Sequence, residues 1–128
     1  MIYVDTSVAL AHLLSETRRP PAAFWVEDLV SSRLLAYEAW GRIHALGLAS
    51  THAEALRDLL GSLLLLELVP PVLERALDPF PAPVRTLDAL HLASLQFLRR
   101  TGRDVTLATY DARLSVAARA LCIRTSEP

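Results

Sequence analysis

Four carboxylates, Asp5, Glu38, Asp88 and Asp111, are the residues whose type and setting could do chemistry in this chain. Asp5 closes the apolar run Met1-Ile2-Tyr3-Val4 and is followed by two hydroxyls, Thr6 and Ser7. Asp111 follows Val105-Thr106-Leu107-Ala108-Thr109 in the same manner. Glu38 and Asp88 fall near the first turns of expected helices. In a parallel α/β sheet, positions just past strand ends and at the starts of the following helices share one rim, where ligands collect. Four acids on one rim repel: at about 4 Å and an effective dielectric near 20, each pair costs roughly 4 kcal/mol. A divalent cation relieves that repulsion without neutralising the acids. Oxygen donors with no paired His or Cys favour Mg²⁺ or Mn²⁺ over zinc. Such a centre suits phosphodiester hydrolysis, in which a cation polarises the phosphoryl oxygen, lowers the pKa of a bound water and stabilises the leaving oxygen.

Three of the acids also have a plainer use. Asp5 could cap the helix expected over Val8 to Leu14, although Thr6 and Ser7 offer caps as well. Glu38 could pair with Arg42 one turn on, and Asp88 is favoured by the dipole of its own helix. His91, one turn after Asp88, reads as a packing or supporting residue, since no second His forms a zinc pair with it.

The elements that must position these acids follow from periodicity. Ile2 to Val4 read as a strand covered on both faces. Ala22 to Leu29 are expected to form a short helix with Phe24 and Trp25 in the core, and Val30-Ser31-Ser32 a brief strand with Ser32 capping a helix over Arg33 to Leu48. On that helix Leu34, Tyr37, Glu38, Gly41, Ala45 and Leu48 form the expected inward stripe. A capped helix from Ser50 to Leu63, a strand over Leu64 to Val69 and a short helix over Val72 to Leu77 come next. A helix capped by Thr86 runs to Gly102, Val105 to Thr109 is the clearest strand, and Ala112 to Leu121 is a helix before a last strand over Cys122 to Thr125. Alternating strands and helices imply a three-layer α/β domain with a mostly parallel sheet of four to five strands.

At 128 residues the chain suits one domain, residues 1–128, with a core that needs no disulfide. Apolar residues make up 52% of it, enough to imply that a partner or second copy covers part of the surface. A single cysteine fits a reducing cytoplasm. No secretion signal is expected at the N-terminus, and the Leu63 to Leu66 run is too short to span a membrane. The net charge of −1 gives no global attraction to nucleic acid, so any such binding rests on local positive clusters. All 13 basic residues are Arg. That removes mechanisms requiring lysine.

The segments Tyr3-Val4-Asp5-Thr6-Ser7, Ser32-x-Leu34-x-x-x-Glu38, Leu87-Asp88-Ala89-Leu90-His91-Leu92-Ala93 and Thr109-Tyr110-Asp111-x-x-Leu114 occur in this order at domain-scale spacing. Together they resemble a PIN domain of the VapC-type toxins, across essentially the whole chain. The resemblance implies an endoribonuclease that binds Mg²⁺ or Mn²⁺ through the four acids, forms a homodimer and is silenced by a VapB-type antitoxin. On that reading Asp5 and Asp88 are the principal metal ligands, Glu38 and Asp111 complete the pocket, and Thr6 and Thr109 orient ligands or waters. A metal-activated water would attack the RNA phosphate. Arg18, Arg19, Arg99, Arg100 and Arg103 are candidate RNA contacts, while Arg42 could offset the acids through Glu38. Cys122 stands where the family often ends its last helix with Gly.

Two other readings compete. A folded PIN-like module could bind RNA or a partner without cutting, but all four acids are present. An aspartate-based phosphotransfer protein ordinarily holds its phosphoryl group with a lysine, and here Ser7 takes the place of the second Asp of the phosphatase signature.

Overall fold

The computed structural model describes residues 1–128. Five short strands, β1 (Ile2–Val4), β2 (Leu29–Ser32), β3 (Leu64–Leu66), β4 (Thr106–Ala108) and β5 (Thr125–Ser126), form one sheet. Its order is β3-β2-β1-β4-β5 and every pairing is parallel. The helices are α1 (Thr6–Leu13), α2 (Arg33–Ala45), α3 (Ala49–Gly61), α4 (Pro70–Leu77), α5 (Thr86–Arg100) and α6 (Ala112–Ala120).

Alternation along the strands divides the core into two. Val4, Leu29 and Ala108 pack with Val8, Leu35, Ile43 and Leu56 from α1, α2 and α3. Tyr3, Val30 and Leu107 point the other way and pack with Leu92, Leu95, Leu114 and Ala118 from α5 and α6. Successive strand residues facing opposite layers is what a strand period of two requires, and the result is the expected three-layer arrangement. Strand order runs outward from β1 to β3, then reverses to β4 on the other side of β1. The helices change face at the same point, as crossovers of one hand require. The reversal leaves a crevice past the carboxyl ends of β1 and β4, held shut at its base by Asp5 N–H donating to Ala108 O at 3.0 Å.

Several elements differ from expectation. The helix expected over Ala22 to Leu29 is a 3₁₀ turn, Ala22–Val26. Glu27 is extended, with φ −75° and ψ 170°, and the sheet takes the chain from there: Ile2 N–H bonds Asp28 O and Leu29 pairs with Ile2. Phe24 is core, as anticipated, and Trp25 packs partly buried against it. On α2 the buried face is Leu35, Ala39 and Ile43 with Leu34, whereas Tyr37 is 73% exposed and Gly41 and Ala45 face solvent. The inward stripe was therefore set one position off, and Glu38 lies at its edge, half-buried. The helix stops at Ala45, short of Leu48, as Gly47 takes φ +68°. Ser32 caps α2 as expected, accepting from Leu34 N–H at 3.1 Å.

Elsewhere α3 begins at Ala49 with no side-chain cap, β3 stops at Leu66, and α4 starts at Pro70 because proline suits a first helical turn. Thr86 is the first residue of α5 and does not cap it; the extended residue before the helix is Arg85. Cys122 adopts φ +57°, and Ile123 N–H reaches back to Ala118 O at 3.0 Å to close α6. That closure uses the left-handed conformation glycine prefers, and it delays the last strand from Cys122 to Thr125.

Candidate active site

Asp5 stands on the first residue past β1, 5% exposed. It is the N-cap of α1: its Oδ2 accepts from Ser7 N–H at 3.2 Å. Capping thus stays with Asp5 and does not pass to Thr6 or Ser7. The same Oδ2 accepts from Ser7 Oγ at 2.5 Å and from Thr109 Oγ1 at 2.9 Å. Ser7 Oγ in turn accepts from Tyr110 N–H at 3.0 Å, and Thr109 Oγ1 accepts from Asp111 N–H at 3.0 Å. The loops after β1 and β4 are therefore stitched together around one carboxylate oxygen. Asp5 Oδ1 takes no hydrogen bond from the protein.

Glu38, at the edge of α2, is fixed in the same one-sided way. Its Oε1 accepts from Thr6 Oγ1 at 2.9 Å and lies 2.5 Å from His91 Nε2. Arg42 forms no ion pair with it. His91, on α5 and 1% exposed, meets Tyr3 Oη through Nδ1 at 2.8 Å. Burial opposes a charge on His91. Tyr3, the bond to Glu38 and the nearby Asp5 and Glu38 charges overcome that opposition and raise its pKa to about 10. His91 is the supporting residue its spacing suggested, with Glu38 as its partner.

Asp88 sits in the first turn of α5 with its side chain 14% exposed, and its Oδ2 accepts from Arg85 Nε at 2.8 Å. Burial pushes its pKa up, Arg85 opposes this, and the charges of Asp111 and Asp5 add to the rise. Asp111 is the N-cap of α6, its Oδ1 accepting from Arg113 and Leu114 N–H at 2.9 and 3.1 Å. Its Oδ2 is held by Arg85 Nη2. Burial alone would raise the pKa of Asp111, but the Leu114 and Arg113 amides and Arg85 hold it below the usual carboxylate range.

These contacts form two networks on one rim: Thr109 and Arg85 link Asp5, Asp111 and Asp88, while Thr6, next to Asp5 in the chain, holds Glu38. Arg18 reaches that rim, its guanidinium 4.6 Å from the Tyr110 ring centre and paired with Glu127. Arg19 is exposed in the preceding loop. Arg99, Arg100 and Arg103 are not brought to the acids: they lie at and beyond the far end of α5 from Asp88, roughly 18 Å along the helix. Arg85, Ser7 and Tyr3 are the site residues that sequence reasoning missed. An Arg three residues before an acid at a helix start was the available signal for Arg85.

No three of the His, Cys, Asp and Glu side chains are gathered closely enough to enclose one ion as they stand. The donor set nevertheless fits a hard divalent cation. Asp5, Glu38 and Asp88 each have one oxygen anchored by the protein and the other uncommitted. Beside Asp88 opens a cleft of about 500 Å³ lined by Val84, Arg85, Arg113, Leu114 and Val116.

No helix is long and apolar enough to cross a membrane. A family model described as the PIN domain matches residues 2–120. Ribonuclease VapC47 of Mycobacterium tuberculosis (strain CDC 1551 / Oshkosh) is 31% identical over 140 residues, with all of this chain and 97% of the relative covered. Ribonuclease VapC35 of the same strain is 30% identical over 134 residues, again covering all of this chain and 97% of the relative. The parallel five-stranded sheet, the four acids at its switch point and these full-length similarities agree: the chain belongs to the PIN domain family and is related to its VapC-type ribonucleases.

Proposed function

We propose that this protein is a metal-dependent endoribonuclease, the toxin of a toxin–antitoxin pair, acting through Asp5, Glu38, Asp88 and Asp111 on Mg²⁺ or Mn²⁺. The observation that carries the reading is the one-sided anchoring of Asp5, Glu38 and Asp88, whose second oxygens remain available at the rim. The full-length similarity to two proteins named as ribonucleases supplies the substrate class. A bound cation would supply Lewis-acid polarisation of the phosphodiester and a water of lowered pKa.

The chain's own residues prepare that chemistry. Ser7 and Thr109 fix the Asp5 carboxylate, which accepts all three of its bonds through Oδ2. Thr6 and the His91 imidazolium do the same for Glu38, and Tyr3 sets the rotation of the imidazole ring from behind. Arg18, near Tyr110 and paired with Glu127, is the proposed contact for an RNA phosphate.

A VapB-type antitoxin and a second copy of the chain are the proposed protein partners. Exposed Tyr37, Leu64, Leu77 and Val116 offer apolar surface to them. A single domain over residues 1–128, working in the cytoplasm, completes the proposal. The test is incubation of antitoxin-free, metal-stripped protein with total RNA, with and without Mn²⁺, beside Asp88→Ala. Cleavage confined to wild type with Mn²⁺ is expected. Identical RNA patterns in all lanes would overturn the nuclease reading for those RNAs.

A further inference from the structure

We propose that Arg85 is a resident counter-charge that competes with the divalent cation for Asp88 and Asp111, so that loading the centre requires its guanidinium to swing out of the rim. The inference rests on the metal-centre reading above. Arg85 Nε donates to Asp88 Oδ2 at 2.8 Å while Nη2 donates to Asp111 Oδ2. One planar group thus bridges acids from α5 and α6, which a lysine point charge does not do. It occupies the electrostatic position a cation would take: Asp88 feels the charges of both Asp111 and Asp5, and Arg85 is the group that offsets them.

Two features make this bridge displaceable. The Arg85 side chain is 57% exposed, so its ion pairs are weak enough to be exchanged. Its backbone is extended, φ −78° and ψ 160°, at the N-cap of α5, where its carbonyl accepts from Ala89 N–H at 3.0 Å but its side chain makes no cap bond. Movement of the side chain therefore breaks no helix. The cleft beside Asp88, which Arg85 already lines with Arg113, receives it.

The test measures Mn²⁺ binding calorimetrically to the metal-free full chain, in wild type, Arg85→Ala, Arg113→Ala and Asp88→Ala. Arg113 lines the same cleft, but its side chain bonds neither acid, so its loss reports general charge alone. Arg85→Ala should bind Mn²⁺ roughly threefold to tenfold more tightly than wild type, and Arg113→Ala less than about twofold more tightly. In parallel, saturating diamagnetic Mg²⁺ should shift the Arg85 Nε–H resonance of wild type to that of a solvated arginine. Unchanged or weaker binding in Arg85→Ala, an equal gain in Arg113→Ala, or an Nε–H resonance indifferent to Mg²⁺ would each overturn the proposal while leaving the metal centre standing. If neither wild type nor Arg85→Ala binds Mn²⁺ differently from Asp88→Ala, the metal centre itself falls, and the competition with it.

Discussion

Replacing Asp5 separately by alanine and by asparagine divides its folding role from its chemical one. In Asp5→Ala, α1 loses the cap bond to Ser7 N–H, a loss of about 1 kcal/mol. Thr109, 1% exposed, loses the acceptor for its hydroxyl, which costs roughly another 1 kcal/mol or more because the group cannot turn to solvent. Relief of repulsion against Asp88 returns roughly 1 kcal/mol of that. The net expectation for the metal-free protein is a loss of about 1–2 kcal/mol. Asp5→Asn retains an oxygen for the same three donors, caps as well as aspartate and gains the same relief of repulsion, partly offset by the weaker bonds of a neutral acceptor. It should therefore be between equal to wild type and about 1 kcal/mol more stable. Urea unfolding in chelator, followed by the fluorescence of Trp25 and Trp40, measures both, with an unchanged slope certifying comparable states. Equal destabilisation by the two substitutions, or none by alanine, would refute the assignment of cap and hydroxyl anchor to this oxygen.

The remaining expectations concern pH, the second cap and the cation. With its folded pKa raised to about 10, His91 stabilises the metal-free protein fully below about pH 6.5, and that contribution fades as pH rises through 10. Imidazole NMR should show this titration, and Glu38→Gln should move it downward; a wild-type midpoint near 6.5 contradicts the Glu38–His91 pair. Asp111, held low, contributes stability above its ordinary carboxylate pKa that is lost as pH falls through the depressed value. Asp111→Ala should cost about 1 kcal/mol by urea unfolding at pH 7 and flatten this acid limb. Mn²⁺ should raise the melting temperature of wild type more than that of Asp88→Ala, and equal shifts would count against Asp88 as a ligand.

The sheet and the rim were legible because their signals are local. Ile2-Tyr3-Val4 and Thr106-Leu107-Ala108 are apolar runs, each ending in hydroxyls and an acid, and both became central strands. What escaped is set by contacts distant in sequence. Nothing within Ala22 to Leu29 says that Leu29 must pair with Ile2, yet that pairing converts the expected helix into a 3₁₀ turn. Tyr37 fits the helical spacing of an inward stripe, but the sheet lies against Leu35, Ala39 and Ile43. Asp5, Thr6 and Ser7 all offer a cap in the sequence, and a carboxylate has two oxygens; here one caps and the other is not anchored. The Arg85 bridge to Asp111 and the His91 bond to Glu38 span 26 and 53 residues, beyond any local pattern.

The most direct test is cleavage of a defined RNA by metal-stripped wild type and Asp5→Asn, each titrated with Mn²⁺ after both are shown to fold alike. Asp5→Asn can keep an oxygen for the three donors while an amide NH₂ replaces the uncommitted, charged oxygen, so loss of the fold does not confound the comparison. Wild type should cut as Mn²⁺ is added, and Asp5→Asn should stay uncut at every concentration. Comparable cutting by both, or cutting by wild type in excess chelator, would contradict a metal-dependent centre built on Asp5.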